Sequence, residues 1–215
     1  MRVRVAVAEI RTAVYRALVA QGASTGEAET AAEACAVAEV DGVGGVALAV
    51  AALERIPRER VGARVEAGSP ARLIDPAERA VVLQARMALD WLAVHRDQAI
   101  ALPGEHGAAS LSGLLPAGAM AVEFAGGVAI GGCAVTTTGD LVVFGAGEAS
   151  AVPAVAEGIV LLAATSPAGE LIEAVERQRR WHDACRSGVQ VDAATWGVLM
   201  RTADRYLVPE TEKRS

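Results

Sequence analysis

Apolar residues recur at helical spacing from the beginning of the chain. Val7, Ile10, Val14 and Leu18 fall three or four positions apart and predict a helix over 6–21. Gly22 closes it. Ser24 followed by Glu27 then fits a capping box, in which each side chain satisfies a free backbone N–H, and opens a second helix. That helix runs to about Val40 and stops at Asp41-Gly42. A third helical stretch, about 46–56, ends before Pro57. Residues 1–57 therefore read as an N-terminal helical layer, and 58–215 as an α/β core with C-terminal helices, one compact domain overall.

Beyond Pro57 the period shortens. Residues 60–74 look like strand material, with Pro70 arguing against a central strand. Asp75-Pro76 is a helix start, because a proline in the first turn gives up an N–H that has no partner there. The helix it opens reaches about Arg96, with Val82, Ala85, Met87, Leu89 and Leu92 on its apolar side and Trp91 as an anchor. "QAIAL" (98–102) follows as a short buried strand. Residues 119–130 fit helix or strand, and helix is the expectation. "CAVTTTGDLVVFGA" carries two β-rich runs around Gly139-Asp140, a hairpin signal, and "GIVLLAA" (158–164) is another buried strand. Helices at 168–186 and 192–206 come next, the second with Asp192 as N-cap. The tail "LVPETEKRS" is polar. The fold class expected is α/β, a mixed β-sheet of five to seven short strands covered by helices.

Composition bears on this in three ways. With 53% hydrophobic residues and a mean hydropathy of +0.33, a membrane protein needs consideration. The apolar stretches at 41–53 and 158–169 are too short or too glycine-broken for the roughly 20 residues a bilayer requires. "MRVRVAVAEIRTAVYR" is charged throughout, unlike a signal peptide, so a cytoplasmic protein without a membrane partner is expected. The net charge of −6 and pI near 5.2 argue against nucleic acid as a partner. Arg177, Arg179 and Arg180, among Glu173, Glu176 and Asp183, read as a solvated helix face with i,i+4 pairs. Cys35, Cys133 and Cys185 suit neither a disulfide framework nor a metal spacing, and reduced, mostly buried thiols are expected.

Phosphate loops, zincin and nucleophile-elbow motifs are absent, and no metal site is expected. The glycines of "GVGGVAL" (42–48) lie between helices with no preceding strand, unlike a dinucleotide fingerprint. "FGAGEAS" (144–150) follows a strand and matches half of one. The chemistry gathers instead in "ALPGEHGAAS" (101–110), at the carboxyl end of a strand, where α/β sheets place ligands. His106 can exchange a proton near neutral pH, Glu105 beside it can tune that proton, and the small neighbours Gly107 and Ser110 leave room for a ligand. A loop histidine bonded to backbone would explain the same residues. His95 and His182 read as surface residues on helices. Glu123 is a lone carboxylate in an apolar stretch, so it faces solvent or pairs with a specific partner.

Several segments together resemble the malate/L-lactate dehydrogenase-like family of nicotinamide-dependent reductases, which is unrelated to the Rossmann lactate dehydrogenases. "ALVAQGASTGEAETAAEACAVAEVDGVGG" is similar to its N-terminal helices, which lead into a Ser-His-Gly catalytic signature. "LQARMALDWLAVHRDQAIALPGEHGAAS" resembles its long helix, strand and Asn-Ser-x-His-Phe-Gly loop, setting His106 and Gly107 on the loop His and Gly. "LLPAGAMAVEFAGG" resembles a leucine-proline segment with its Glu-containing helix, and "LVPETEKRS" the closing Pro-Gly-Glu-Arg stretch. An uncharacterised bacterial family of this shorter length, with a tail like "VPETEKRS", looks closer still.

The departures shape what the resemblance implies. Where the reductases carry the catalytic Ser-His, this chain reads Gly44-Gly45. The family is well over a hundred residues longer, and the stretch missing between Ser110 and Leu114 would carry much of its nucleotide-binding domain. Its glycine-lysine-glycine cofactor segment has no counterpart, so NAD(P)H, the cofactor implied by the resemblance, stays open. The family's dimers share a site between subunits, which implies a homodimer here. Three functions follow as expectations. The first is a compact small-molecule enzyme for a 2-oxo acid or cyclic imino acid, with His106 and Glu105 catalytic and Gly107, Ser110 and Glu123 contacting substrate. The second is a cofactor-independent isomerase, cyclase or lyase in the old substrate pocket, and the third a non-catalytic subunit or scaffold. Arg64, Arg72 and Arg86 are candidate carboxylate anchors.

Overall fold

Val7, Ile10, Val14 and Leu18 are buried on one side of the first helix, as their spacing requires. The computed structural model describes residues 1–56, 62–67, 71–95, 99–102, 119–123, 128–129, 135–138, 140–144, 149–152, 159–163 and 169–207. The elements begin with β1 (Arg2–Val5), α1 (Val7–Gln21), α2 (Thr25–Val40), α3 (Gly45–Leu53), β2 (Arg64–Glu66), β3 (Ala71–Ile74) and α4 (Val81–Val94). Then follow β4 (Ala99–Leu102), β5 (Ala119–Glu123), β6 (Val128–Ala129), β7 (Val135–Thr138), β8 (Asp140–Phe144), β9 (Ala149–Val152) and β10 (Ile159–Ala163). The last are α5 (Gly169–Ser187), β11 (Val189–Asp192) and α6 (Ala193–Asp204), with a 3₁₀ turn at Arg205–Leu207.

Helix α2 is the hub, packed against α1, α3 and α4. Ala28, Ala31, Ala32, Ala34, Cys35, Ala36, Val37 and Ala38 are all buried, so apolar residues surround it, the mark of an interior helix. The capping box at its start is complete: Ser24 Oγ accepts from the Glu27 N–H, and Glu27 Oε2 accepts from the Ser24 N–H at 3.0 Å. Small side chains let the helices approach closely, while Ile10, Val14, Leu18, Val46 and Leu199 fill the centre. Each such aliphatic side chain stabilises by about 1.5–3 kcal/mol when fully buried.

The two ends of the described chain meet. β1 and β11 form an antiparallel ribbon with Arg2 opposite Asp192 and Val5 opposite Val189, and α6 packs on α1. One hydrophobic cluster therefore joins Val5, Ile10 and Leu18 with Val82, Leu83, Ala184, Val191 and Leu199. The N-terminal helices share their core with the C-terminal ones.

The fold is mixed α/β. Among the described residues the largest sheet has six strands in the order β2-β3-β4-β10-β5-β6; β3 and β4 are parallel and the other pairs antiparallel. A separate three-stranded antiparallel sheet holds β7-β8-β9. The hairpin at Gly139-Asp140 is present, with Thr138 opposite Asp140. No described helix is long and apolar enough to cross a membrane.

Several expectations are corrected. Residues 119–123 and 128–129 are strands, not helix, so Glu123 ends a strand; β5 pairs with β10 on one side and β6 on the other. The fourth helix starts at Val81 rather than at Asp75-Pro76, because Glu78 has a left-handed φ of 48° that no right-handed helix accommodates. β3 begins just after Pro70 yet lies between β2 and β4, since proline withholds a ladder hydrogen bond only at its own position. "FGAGEAS" spans two antiparallel strands, β8 and β9, instead of leading a strand into a helix, which removes the phosphate-binding reading. Arg180 and Arg177 also reach across the fold to Asp41, at 3.2 Å and 3.9 Å. Cys185 is exposed, against the expectation of buried thiols. β1 and β11 carry no pattern long enough to have been foreseen.

Candidate functional site

Three strands of the large sheet run in one direction. β3 is parallel to β4, with Ala71 opposite Ile100 and Arg72 opposite Ala101; β4 and β5 are each antiparallel to β10, which lies between them. Ile159 of β10 pairs with Leu102 on one side and Glu123 on the other. The same register carried one residue on sets Leu73 beside Leu102. A single row across the sheet therefore holds Leu73, Leu102, Ile159 and Glu123, at the carboxyl ends of β3, β4 and β5. Strands lie about 4.8 Å apart, so Leu102 and Glu123 are roughly 10 Å from each other in that row. Residues 103–110 continue from Leu102, and Glu105, His106, Gly107 and Ser110 lie outside the described residues, as do Cys133 and the tail. For Glu123 the backbone position is described.

Directly after β3 comes Asp75, whose side chain is wholly buried. Its carboxylate accepts from the Ala77 and Arg79 N–H groups at 3.2 and 3.1 Å, and from Arg79 Nε and Nη2 at 3.0 and 3.2 Å. Arg79 Nη1 donates to Glu27 Oε1, so one guanidinium ties the turn after β3 to the first turn of α2. Burial works against the Arg79 charge, but hydrogen bonds and the charges of Asp75 and Glu27 outweigh it and hold its pKa above the ordinary arginine value. Gln84 Nε2 donates to the Arg79 carbonyl at 2.6 Å. Sequence reasoning missed this network. The i,i+4 spacing of Asp75 and Arg79 was a local signal, whereas Glu27 lies 52 residues away and carried none.

Beside this network opens a cavity of about 250 Å³, walled by Leu73, Glu27, Arg79, Leu83, Arg86 and Asp90 among others. Arg86 pairs with Asp90 at 2.8 Å on the exposed rim, and Asp90 lifts its pKa through the hydrogen bond first and the opposite charge second. Of the other candidate anchors, Arg64 pairs with Glu66 on β2 and Arg72 lies in β3.

A second cavity, about 260 Å³, lies between the β1–β11 ribbon and the turn joining α2 to α3; Arg2, Glu39, Gly44, Val46, Asp192 and Thr195 line it. Gly44 and Gly45 lie at the start of α3. Gly44 has φ +81°, and a Cβ on Gly45 would sit 1.7 Å from the Cys35 carbonyl oxygen, so the backbone admits no larger residue at Gly45. Gly45 is a packing requirement of α3 against α2, and Gly44 a requirement of its left-handed backbone. Glu39 Oε2 accepts from the Val46 N–H at 2.8 Å and caps α3 from the neighbouring helix.

Both cavities are below the roughly 300–1,000 Å³ of pockets for drug-sized ligands, and neither could hold a dinucleotide. Among the described residues no group of His, Cys, Asp or Glu could hold a metal ion. His182 is exposed, and His95 is half-buried, stacked on Trp91 with ring centroids 4.4 Å apart. Burial, with Glu39 adding, pushes the Cys35 thiol up to about 12.

Residues 5–88 match a family model described as a protein of unknown function, DUF3726. The matched stretch holds Glu27, Glu39, Gly44, Gly45, Asp75 and Arg79, with nearly all of the first cavity's lining and half of the second's. No curated protein and no solved structure matches the chain.

Proposed function

We propose that this protein is a compact small-molecule enzyme acting on a 2-oxo acid or a cyclic imino acid at the carboxyl end of β3, β4 and β5. The observation that carries the reading is the row Leu73–Leu102–Ile159–Glu123. It brings Glu123, the start of the His106 segment and the wall of the Arg79–Arg86 cavity to one end of the sheet, where α/β folds bind ligands. The resemblance to malate/L-lactate dehydrogenase-like reductases adds the substrate class and the shared-site homodimer.

In this reading Arg86 takes the substrate carboxylate. Its exposed pair with Asp90 is weak and exchanges readily. Arg79 is already engaged by two carboxylates and keeps the wall in place. His106 moves a proton at the carbon next to the substrate's C=O or C=N, with Glu105 raising the imidazole's affinity for that proton. Gly107 and Ser110 leave space and one hydroxyl for the substrate, and Glu123 contributes its carboxylate from two strands away. Such proton transfer needs one or two positioned groups, and no step is assigned to a nicotinamide.

The test is solvent-deuterium incorporation into a panel of 2-oxo acids and cyclic imino acids, with thermal stabilisation measured alongside. One panel member is expected to gain deuterium and raise Tm. His106→Ala should abolish incorporation, and Arg86→Ala should raise KM while leaving kcat largely intact. Substrate-dependent oxidation of NADPH would assign a reductase of the same substrate class. Neither exchange nor stabilisation with any panel member would overturn the proposal.

A further inference from the structure

The second cavity is built from parts the proposed enzyme site does not use. Arg2 and Asp192 face each other across the β1–β11 ribbon, on the same side of it, and both line the cavity. Opposite charges at directly opposed antiparallel positions have Cβ atoms about 4.5–5.5 Å apart and ordinarily attract one another into a pair. Here, among the described residues, Arg2 makes no ion pair or hydrogen bond through its side chain. Asp192 turns away to cap α6, where its Oδ2 accepts from the Ala194 and Thr195 N–H groups at 3.1 and 2.9 Å and from the Thr195 hydroxyl at 3.0 Å. Glu39 likewise spends Oε2 on the Val46 N–H. Each carboxylate is thus held through one oxygen, while Asp192 Oδ1 and Glu39 Oε1 accept no hydrogen bond among the described residues, and the Met1 α-ammonium acts on Asp192 through its charge alone.

We propose that this cavity binds a small zwitterion, a free α-amino acid, with Arg2 taking its carboxylate and Glu39 and Asp192 its ammonium group. The charge pattern selects the class. A simple anion would meet two carboxylates as well as Arg2, and a simple cation would leave the guanidinium unserved. An amino acid answers both signs at once. The cavity's volume, equal to about eight or nine waters at roughly 30 Å³ each, suits a ligand of that size. Ala47, exposed in its lining, gives it a small apolar contact for an aliphatic side chain. Because the two carboxylates are already fixed by capping bonds, little ordering remains to be done on binding.

Titration calorimetry on the full chain tests this with the common α-amino acids, each alone at millimolar concentration. Propionate and isobutylamine serve as half-ligands. Saturable binding of at least one aliphatic amino acid is expected, with no binding of either half-ligand. Arg2→Gln and Glu39→Gln should each weaken that binding tenfold or more. Glu39→Gln keeps an oxygen for the Val46 N–H, and Arg2 is exposed, so the unliganded Tm of both variants should stay near that of the parent. Absence of binding by every amino acid, equal binding of a half-ligand, or unchanged affinity in both variants would overturn the assignment.

Discussion

Gly45 lies so close to Cys35 that a Cβ on it would stand 1.7 Å from the Cys35 carbonyl oxygen and 2.8 Å from the Glu39 nitrogen. Both obstacles are backbone, which cannot rotate aside. Gly45→Ala should therefore separate α3 from α2 and destabilise by at least the roughly 1–3 kcal/mol typical of overpacking, read from urea unfolding. Gly26, in the same bundle, has nothing within 4 Å of the point where a Cβ would stand. Gly26→Ala should leave stability unchanged or raise it by about 0.4–1 kcal/mol. Equal midpoints for the two variants would contradict the packing described.

The Arg79 bridge gives a second contrast. Asp75 is fully buried and Arg79 is 15% exposed, so Arg79→Met strands a buried carboxylate. The expected loss is toward the lower end of about 3–5 kcal/mol, because two backbone N–H groups still reach Asp75. Adding Asp75→Asn to Arg79→Met should recover part of the loss by removing the unpaired charge. Arg86→Met, on the exposed rim, should change stability little. Thermal unfolding of the three variants checks the order.

Cysteine chemistry separates two thiols. Cys185 is exposed and should react with iodoacetamide in the native protein, whereas Cys35 should be modified only on unfolding. The Cys35 pKa is raised from 9.0 to about 12, so the folded state holds that proton more tightly than the unfolded one. Its stabilising effect is complete below pH 9 and declines as pH rises toward 12. Cys35→Ala should flatten that alkaline decline, read from Tm against pH. Rapid native labelling of Cys35 would contradict its burial.

At the acid end the group to follow is Asp192. The Thr195 backbone N–H, then the Thr195 hydroxyl, hold its carboxyl below the ordinary range. A depressed folded pKa means that the stabilisation is present above the unfolded value of about 3.9 and is lost as pH falls below it. The Tm difference between the parent and Asp192→Ala should therefore narrow from about pH 6 to about pH 3. A constant difference would show that the cap acts without its charge.

Local patterns are legible where one element suffices to bury its own face. Val7, Ile10, Val14 and Leu18 announce α1; Ser24 and Glu27 announce the start of α2; Asp192 announces α6. The segment 119–129 misleads because Ala, Met and Val alternate too weakly to separate a helix from strands, and the partner of β5, β10, lies about 40 residues further on. The candidate site is legible only as a strand end. His106, Glu105, Gly107 and Ser110 stand out by their local chemistry, while Glu27 does not, because it meets Arg79 across 52 residues of chain.

By itself, the order of residues determined where α1, α2 and α6 begin and which face of α1 turns inward, since helix-forming periodicity and capping act over three or four positions. Only the tertiary structure decided that β1 meets β11, that Arg79 joins Asp75 to Glu27, and that Gly45 touches the Cys35 backbone. Those contacts depend on how separate elements dock, and docking is governed by shape and charge across space, which no neighbouring residue records.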